Sequence, residues 1–160
     1  MSDAKGMGRE AKGMGRDPEG FEPVDHTADL GLRVWAEGLE GLFRQAALGL
    51  SQLLTDPARI RVARRLPIEV TGADLEELLV SWLNEILYRA ESEGMLFAEF
   101  QDLRIEETAG GYSLAAVALG EPRDESRHPL GAAVKAATYH GLEIESRSES
   151  GYDLTIILDT

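Results

Sequence analysis

The chain contains no cysteine among its 160 residues. Disulfide bonds, thiolate metal sites, zinc ribbons and a cysteine nucleophile are therefore excluded, and the composition fits a reducing compartment. No apolar run reaches the roughly 18 residues that suggest a membrane span, and the N-terminal stretch lacks the apolar segment of a signal peptide. We therefore expect a cytoplasmic protein.

Basic side chains are also scarce, with 16 Lys and Arg against 29 Asp and Glu and a formal net charge of −13. Basic and acidic side chains balance within residues 1–20, so the rest of the chain carries the excess acidity. A protein that holds nucleic acid needs clustered Lys and Arg for the phosphates. We therefore expect no direct nucleic-acid binding, and cations or a basic protein partner suit this chain better.

The hydrophobic pattern divides the chain into a tail and one domain. Residues 1–20 repeat Ala-Lys-Gly-Met-Gly-Arg and hold little that can form a core, which predicts a disordered N-terminal tail. Residues 21–160 are long enough for one domain with a real core. No membrane association is expected from either part.

Two segments of the domain have the spacing of amphipathic helices. The first covers 39–54 and stops at Asp56-Pro57, and the second covers 75–88, with Asp74 and Glu77 resembling an acidic cap. Strand patterns surround them, so we predict an α+β fold, a single-domain sandwich of mixed β-sheet with two long amphipathic helices. The predicted strands cover 30–36, 61–70, 96–100, 103–107, 112–119, 142–146 and 153–158, while 134–140 fits either a helix end or a strand.

Carboxylates near the two ends of the domain are candidate cation ligands. Asp25, Thr27 and Asp29 share one face if their segment is extended, because side chains alternate across a strand. Asp159 follows the apolar run Ile156-Ile157-Leu158, where a buried charge is costly unless it is paired or binds metal. Two other readings stay open, since Asp25 and Thr27 also suit a turn or cap, and Asp159 suits an exposed strand end.

The residue patterns contain no convincing enzyme active site. His26, His128 and His140 lie far apart and share no metal-ligand spacing. His128 precedes a proline and is typical of a loop residue that hydrogen-bonds backbone. Neither a nucleophile elbow nor a glycine-rich phosphate loop is present. We therefore assign no catalytic residue.

The segment Asp25-His26-Thr27-Ala28-Asp29-Leu30-Gly31-Leu32 resembles the archease family. The resemblance continues along the chain and covers essentially all of 21–160. Further stretches that carry it are 72–88, Gly120-Glu121, His128, 134–143 and the closing Leu158-Asp159.

This resemblance implies a protein cofactor of the RtcB-type RNA ligase, which joins RNA ends in tRNA splicing and RNA repair. The family promotes GTP-dependent guanylylation of that ligase and so its multiple turnover, and is not itself an enzyme. It also implies a divalent cation, usually assigned as calcium, with magnesium or manganese as the other hard cations. The implied ligands are Asp29, Asp159 and a main-chain oxygen of Thr160.

Further residues are candidates for an additional site or for the ligase interface, namely Asp25, His26, Lys135 and His140. Two alternative functions also remain open. The first is a metal-dependent phosphatase or hydrolase that uses Asp25, Asp29 and Asp159 to activate water. The second is a chaperone-like adaptor in which the cation has only a structural role.

Overall fold

The computed structural model describes residues 17–26, 29–147 and 151–160, apart from the side chain of residue 26. These residues form two long helices, one short 3-10 helix and eight strands. The helices are α1 (Leu39–Leu54), the 3-10 turn (Pro57–Arg59) and α2 (Leu75–Ser92). The strands are β1 (Gly20–His26), β2 (Asp29–Ala36), β3 (Arg64–Gly72), β4 (Met95–Thr108), β5 (Gly111–Pro122), β6 (Ala136–Thr138), β7 (Glu145–Ser146) and β8 (Tyr152–Asp159).

The strands form two sheets with the two long helices between them. The larger sheet has the order β1-β2-β8-β6, with β7 also pairing with β8, and the smaller sheet has the order β3-β5-β4. Helix α1 packs against β1, β2 and β8 on one side and β4 on the other, while α2 packs against the smaller sheet and β6. The predicted α+β sandwich with two long helices is confirmed. Each strand pairing that the structure describes is antiparallel, so the predicted mixed sheets are antiparallel sheets instead.

Apolar side chains of the two long helices and of the facing strands form the core. Phe43 on α1 and Trp82 on α2 are fully buried, and the Trp82 indole N–H donates to the Phe43 carbonyl oxygen at 2.9 Å. This bond satisfies the one polar atom of a large side chain in the core, as burial requires. The helical periodicity therefore identified the residues that face both sheets.

The predicted cap of α2 and the predicted stop of α1 are also found. The Asp74 side chain accepts from the Glu77 backbone N–H at 2.8 Å, and the Glu77 side chain accepts from the Ala73 N–H at 3.0 Å. The first bond is that of an N-cap residue, and the second engages the residue before the cap, so both fix the start of α2. Helix α1 ends before Asp56, whose side chain accepts from the Ala58 N–H and caps the following 3-10 turn.

Several strand predictions need correction. The segments 96–100 and 103–107 form the single strand β4, because shifts in its pairing with β5 absorb the irregular residues around Asp102, which has φ of 54°. Strand β3 begins at Arg64 and lies at a sheet edge, which explains how it accommodates Pro67. The segment 142–146 contains only the two-residue strand β7, and 134–140 contains the three-residue strand β6.

Contacts with the domain begin shortly before the predicted boundary at residue 20. The Asp17 carbonyl accepts from the Trp35 indole N–H at 2.9 Å, and the Glu19 carboxylate accepts from Arg44 and Gln45. Residues 17–20 therefore belong to the domain, while residues 1–16 lie outside the described part. Neither long helix among the described residues is apolar enough over its length to cross a membrane.

Candidate functional site

Two carboxylates lie side by side at one end of the larger sheet. Leu30 of β2 pairs with Leu158 of β8, so the same register carried one residue further sets Asp29 opposite Asp159. Opposed residues in an antiparallel pair have Cβ atoms about 4.5–5.5 Å apart and point to the same face. The fold therefore joins the two aspartates that the sequence analysis singled out at distant positions.

The two carboxylates occupy the face of the sheet that points away from the helices. Leu158 is fully buried and Leu30 packs against the core, so their strand neighbours Asp29 and Asp159 face the other side. Both aspartates are exposed. Asp159 is thus the exposed strand end that the sequence left as an alternative, and burial does not force it to bind metal.

The donor chemistry at this position fits a hard cation. Within the described part of the chain, neither the Asp29 nor the Asp159 side chain forms an ion pair or a hydrogen bond. Neighbouring carboxylates repel each other, and a divalent ion with a preference for oxygen ligands relieves that repulsion. No group of three or more His, Cys, Asp or Glu side chains that could hold a metal occurs among the described residues. A cation here would therefore take its remaining ligands from main-chain oxygens and water.

Strand β6 holds the main chain of Asp159 from the other side. The Lys135 N–H donates to the Asp159 carbonyl oxygen at 2.7 Å, and Ala136 is the register partner of Asp159. Lys135 is exposed, and so is Thr160, which follows Asp159 directly. The main chain that leads to Thr160 is therefore positioned by the neighbouring strand, next to the carboxylate pair.

Asp25 does not join this pair. It lies on β1 and pairs with Leu30, whose side chain packs against the core, whereas Asp29 lies on β2 on the opposite face. The prediction that Asp25 and Asp29 share one face of an extended segment is wrong, because the chain direction reverses between β1 and β2. Thr27, the third member of that prediction, lies outside the described residues.

The other site candidates, His26, Lys135 and His140, differ in how close their backbone positions lie to the carboxylate pair. His26 is the register partner of Asp29, so its backbone lies next to the carboxylate pair. His140 lies elsewhere, because β6 runs from Ala136 opposite Asp159 to Thr138 opposite Ile157 and so leads away from the pair. The His140 N–H donates to the Thr138 hydroxyl at 3.3 Å. Lys135 and His26 are therefore near the pair along the backbone, and His140 is not.

A buried ionic cluster around Glu121 was missed by the sequence reasoning. Its carboxylate accepts two hydrogen bonds from the Arg127 guanidinium, both at 2.9 Å, one from the Arg61 N–H at 2.8 Å and one from His128 Nε2 at 2.9 Å. The hydrogen bonds from Arg127, and then that from Arg61, lower the pKa of Glu121 from 4.5 to about 2. In the sequence, Glu121 stands out only as part of the family resemblance, and no spacing pattern indicates that it bonds to His128.

His128 is committed to this cluster and is not available for chemistry at the surface. It is 1% exposed, and its Nδ1 accepts from the Asp124 backbone N–H at 2.8 Å. Because Nδ1 accepts, the proton lies on Nε2, which donates to Glu121. The expectation that His128 hydrogen-bonds backbone in a loop is confirmed, with the addition that its ring is buried.

Comparison with known proteins shows the family of this chain. The family model described as Archease protein family (MTH1598/TM1083) matches residues 21–160. The chain is 44% identical over 127 residues to the protein archease of Methanopyrus kandleri, and the aligned segment covers 78% of this chain and 89% of that protein. It is 37% identical over 139 residues to the protein archease of Pyrococcus furiosus, and that alignment covers 87% of this chain and 97% of that protein.

A solved structure shows the same fold. The solution structure of protein 1598 of Methanobacterium thermoautotrophicum superposes with a TM-score of 0.77 at 34% sequence identity. The similarity covers 88% of this chain and 99% of that one. The two-sheet arrangement with helices between the sheets is therefore shared along nearly the whole domain.

Proposed function

Because this chain belongs to the archease protein family, we propose that it activates an RtcB-type RNA ligase. In this proposal it promotes GTP-dependent guanylylation of the ligase and multiple turnover in tRNA splicing and RNA repair. The observation that carries the proposal is the pair of exposed carboxylates, Asp29 and Asp159, which have no basic partner among the described residues, in a chain of that family. The chain itself is a protein cofactor, and the covalent chemistry belongs to the ligase.

The residues that would hold a divalent cation are Asp29, Asp159 and a main-chain oxygen of Thr160. Calcium is the ion we propose, because it accepts six to eight oxygen ligands in irregular geometry and tolerates several waters. Magnesium and manganese share the oxygen preference and are the alternatives. When bound, such an ion supplies positive charge for phosphate oxygens or for acidic groups of the partner.

The chain's own residues would present this site to a partner. Asp29 and Asp159 lie at the end of paired strands, on the face away from the helices, where a second protein can approach them. Lys135 fixes the main chain of Asp159 through its N–H, and its own side chain is exposed. An exposed tip of this kind suits electrostatic recognition of a ligase pocket that handles GTP phosphates.

A metal-dependent hydrolase is less well supported. In its three-carboxylate form it requires Asp25, which lies on the opposite face from Asp29. Among the described residues, the buried His128 has both ring nitrogens engaged and is unsuited to act as a base at the pair. The adaptor alternative requires only that the cation stabilises the fold, and the same experiment separates it from the activator.

The experiment is a guanylylation and RNA-joining assay with the cognate RtcB-type ligase and substoichiometric amounts of this protein. We expect strong stimulation by the wild type, loss of stimulation with Asp29→Asn or Asp159→Asn, and full stimulation with Asp25→Asn. The Asp25 variant is a matched control, because it removes the same charge one register position from Asp29 on the neighbouring strand but on the other face. Stimulation that survives Asp29→Asn would contradict the cation mechanism, and absence of stimulation by folded wild type would contradict the activator function.

A further inference from the structure

Leu130 is the most exposed of the large hydrophobic side chains that the structure describes. It is 84% exposed, whereas the next most exposed are Tyr88 and Tyr139 at 55%. A single exposed leucine is common on protein surfaces and by itself indicates nothing. What distinguishes Leu130 is the way its backbone is held.

Hydrogen bonds fix the main chain on both sides of Leu130. The Thr55 hydroxyl donates to the Pro129 carbonyl oxygen at 2.7 Å. The Gly131 N–H donates to the Leu54 carbonyl at 3.0 Å, and the Ala132 N–H donates to the Leu53 carbonyl at 2.8 Å. These bonds tie the loop to the last turn of α1 and use carbonyls that the end of a helix leaves without intrahelical partners. The loop is therefore a fixed support for one exposed side chain.

The residues next to Leu130 are of types that allow the loop to lie close to the end of α1 and restrict its backbone. A Cβ atom on Gly131 would lie 2.2 Å from the Leu53 carbonyl oxygen, so only glycine allows the loop to approach the helix this closely. Pro129 restricts its own backbone on the other side. His128, one residue earlier, is buried in the Glu121 cluster. Because the backbone is already ordered, little conformational entropy is lost when the side chain at 130 enters a pocket.

The loop lies at the same end of the molecule as the carboxylate pair. Helix α1 runs back along β2, since Gly41 is adjacent to Ala36 and Gly49 is adjacent to Leu32. The last turn of α1 therefore lies near the start of β2, where Asp29 is found.

The chain also links the two directly, because the Lys135 N–H bonds to the Asp159 carbonyl and only five residues separate 135 from 130. Leu130 is therefore within about 18 Å of Lys135, whose N–H contacts Asp159 directly.

We propose that Leu130 is the apolar anchor by which this chain docks on its protein partner, inserting into an apolar pocket beside the surface that receives the Asp29–Asp159 tip. The identity of that partner as the RNA ligase rests on the proposed function. A central apolar side chain next to charged contacts is the usual arrangement of a protein interface with a strong anchor residue.

The excess negative charge of the chain favours a protein partner over other surfaces. RNA and anionic lipid both carry phosphates, which a net charge of −13 repels. A second copy of the chain would bring the same negative charge against it. Leucine also lacks the flat ring on which an unpaired base stacks. A basic rim around an apolar pocket on another protein is the surface that complements these features.

The test compares Leu130→Asn, which is similar in size but polar, with Leu130→Met, which keeps the volume and the apolar character. Binding to the cognate ligase is measured by fluorescence anisotropy of labelled protein, and stimulation of guanylylation is titrated with each variant. We expect Leu130→Asn to raise the dissociation constant and the half-saturating concentration about tenfold or more, with an unchanged plateau at saturation. Leu130→Met should stay within about threefold of the wild type.

Three outcomes separate this proposal from the activator function. If wild type stimulates and Leu130→Asn leaves the half-saturating concentration unchanged or lowers the plateau, the anchor is overturned and the activator function stands. If wild type binds without stimulating and Leu130→Asn weakens binding, the anchor stands and the activator function fails. Absence of binding by wild type overturns both. The thermal midpoint of Leu130→Asn should match the wild type, because an 84% exposed side chain contributes little to folding.

Discussion

Leu30 and Leu158 are register partners across β2 and β8, and both side chains face the helix layer. Their pairing determines the position of the next residue on each strand. Asp29 and Asp159 consequently face the other side of the sheet together, exposed and without a basic partner among the described residues. A carboxylate pair of this kind costs stability when it is empty and contributes stability when a cation occupies it.

The first prediction follows because the contribution of the Asp29–Asp159 pair to stability should change from unfavourable to favourable when a cation binds. In the presence of a chelator, Asp29→Asn should be as stable as the wild type or more stable by about 0.2–1 kcal/mol, because it removes a like-charge pair. With calcium in excess, the order should reverse, since an ion bound at a hundred times its dissociation constant stabilises the folded state by about 2.7 kcal/mol. Thermal unfolding with and without calcium measures both differences.

Asp25→Asn is the control for this experiment. Asp25 lies on the face opposite to Asp29, so its substitution should leave the calcium-dependent shift of the unfolding midpoint unchanged. An equal loss of the calcium shift in both variants would mean that the cation does not discriminate between the two faces. The proposed ligand set would then be wrong.

The second prediction concerns Glu121 and pH. Hydrogen bonds from Arg127 and Arg61 lower its pKa in the folded protein to about 2, below the ordinary value of 4.5. A lowered pKa means that the ionised form stabilises the fold at any pH above the ordinary value, and that this contribution is lost as the pH falls from about 4.5 towards 2.

Glu121→Gln should therefore be less stable than the wild type at pH 7, and the difference should shrink as the pH falls through that window. Denaturant unfolding at a series of pH values measures the difference. Glu125→Gln is a suitable control, because Glu125 is exposed and lies close to the cluster in sequence. If the difference in the free energy of unfolding between Glu121→Gln and the wild type stayed constant across this pH window, ionisation of Glu121 would not contribute the stability that we assign to it.

The third prediction sets helix propensity against packing at Gly49. Alanine is preferred over glycine inside a helix by about 1 kcal/mol. A Cβ atom at 49 would, however, lie 2.7 Å and 3.0 Å from the two methyl carbons of Leu32, which is fully buried. Overpacking of a filled core costs about 1–3 kcal/mol, so Gly49→Ala should destabilise the protein by up to about 2 kcal/mol.

Gly38 provides the comparison, because it is the N-cap of the same helix and nothing lies within 4 Å of an added Cβ. Its backbone is extended, and no side chain caps the helix there. Gly38→Ser should stabilise the protein by a few tenths of a kcal/mol. Urea unfolding of both variants tests the pair, and a stabilised Gly49→Ala would show that Leu32 has room to move.

The fourth prediction concerns the hydrogen bond from Thr55 that helps to hold the loop carrying Leu130. Thr55→Val removes the hydroxyl that donates to the Pro129 carbonyl while keeping the shape of a buried side chain. We expect a loss of about 1 kcal/mol in stability and faster hydrogen exchange of the Gly131 and Ala132 amides. Affinity for the ligase should fall as well, because the anchor is less well ordered before it binds.

Thr155→Val is the matched control for that variant, since Thr155 is exposed on β8 and its hydroxyl forms no hydrogen bond within the described structure. Its amide exchange in the 129–132 loop and its affinity for the ligase should equal those of the wild type. Unchanged exchange in Thr55→Val would indicate that the bonds that the Gly131 and Ala132 N–H groups donate to the Leu54 and Leu53 carbonyls hold the loop without the hydroxyl.

The sequence by itself determined the two helices and the class of the fold. The apolar spacing in α1 and α2 is a local property, and the caps at Asp74 and Asp56 lie within a few residues of the helix ends they define. Local hydrogen bonding and side-chain periodicity encode such elements directly. The continuous strand β4 was divided in the prediction because its irregular residues interrupt the alternation, and only pairing with β5 carries the strand through.

The tertiary structure alone decided which aspartates meet. Spacing could not choose Asp29 over Asp25, because both fit an extended segment, and the choice depends on where the chain reverses and on the register of β2 with β8. The support of Leu130 and the cluster around Glu121 likewise join segments that are distant along the chain. Strand register and loop attachment are set by burying apolar side chains from separate segments in one core, and a one-residue shift would move every side chain to the other face.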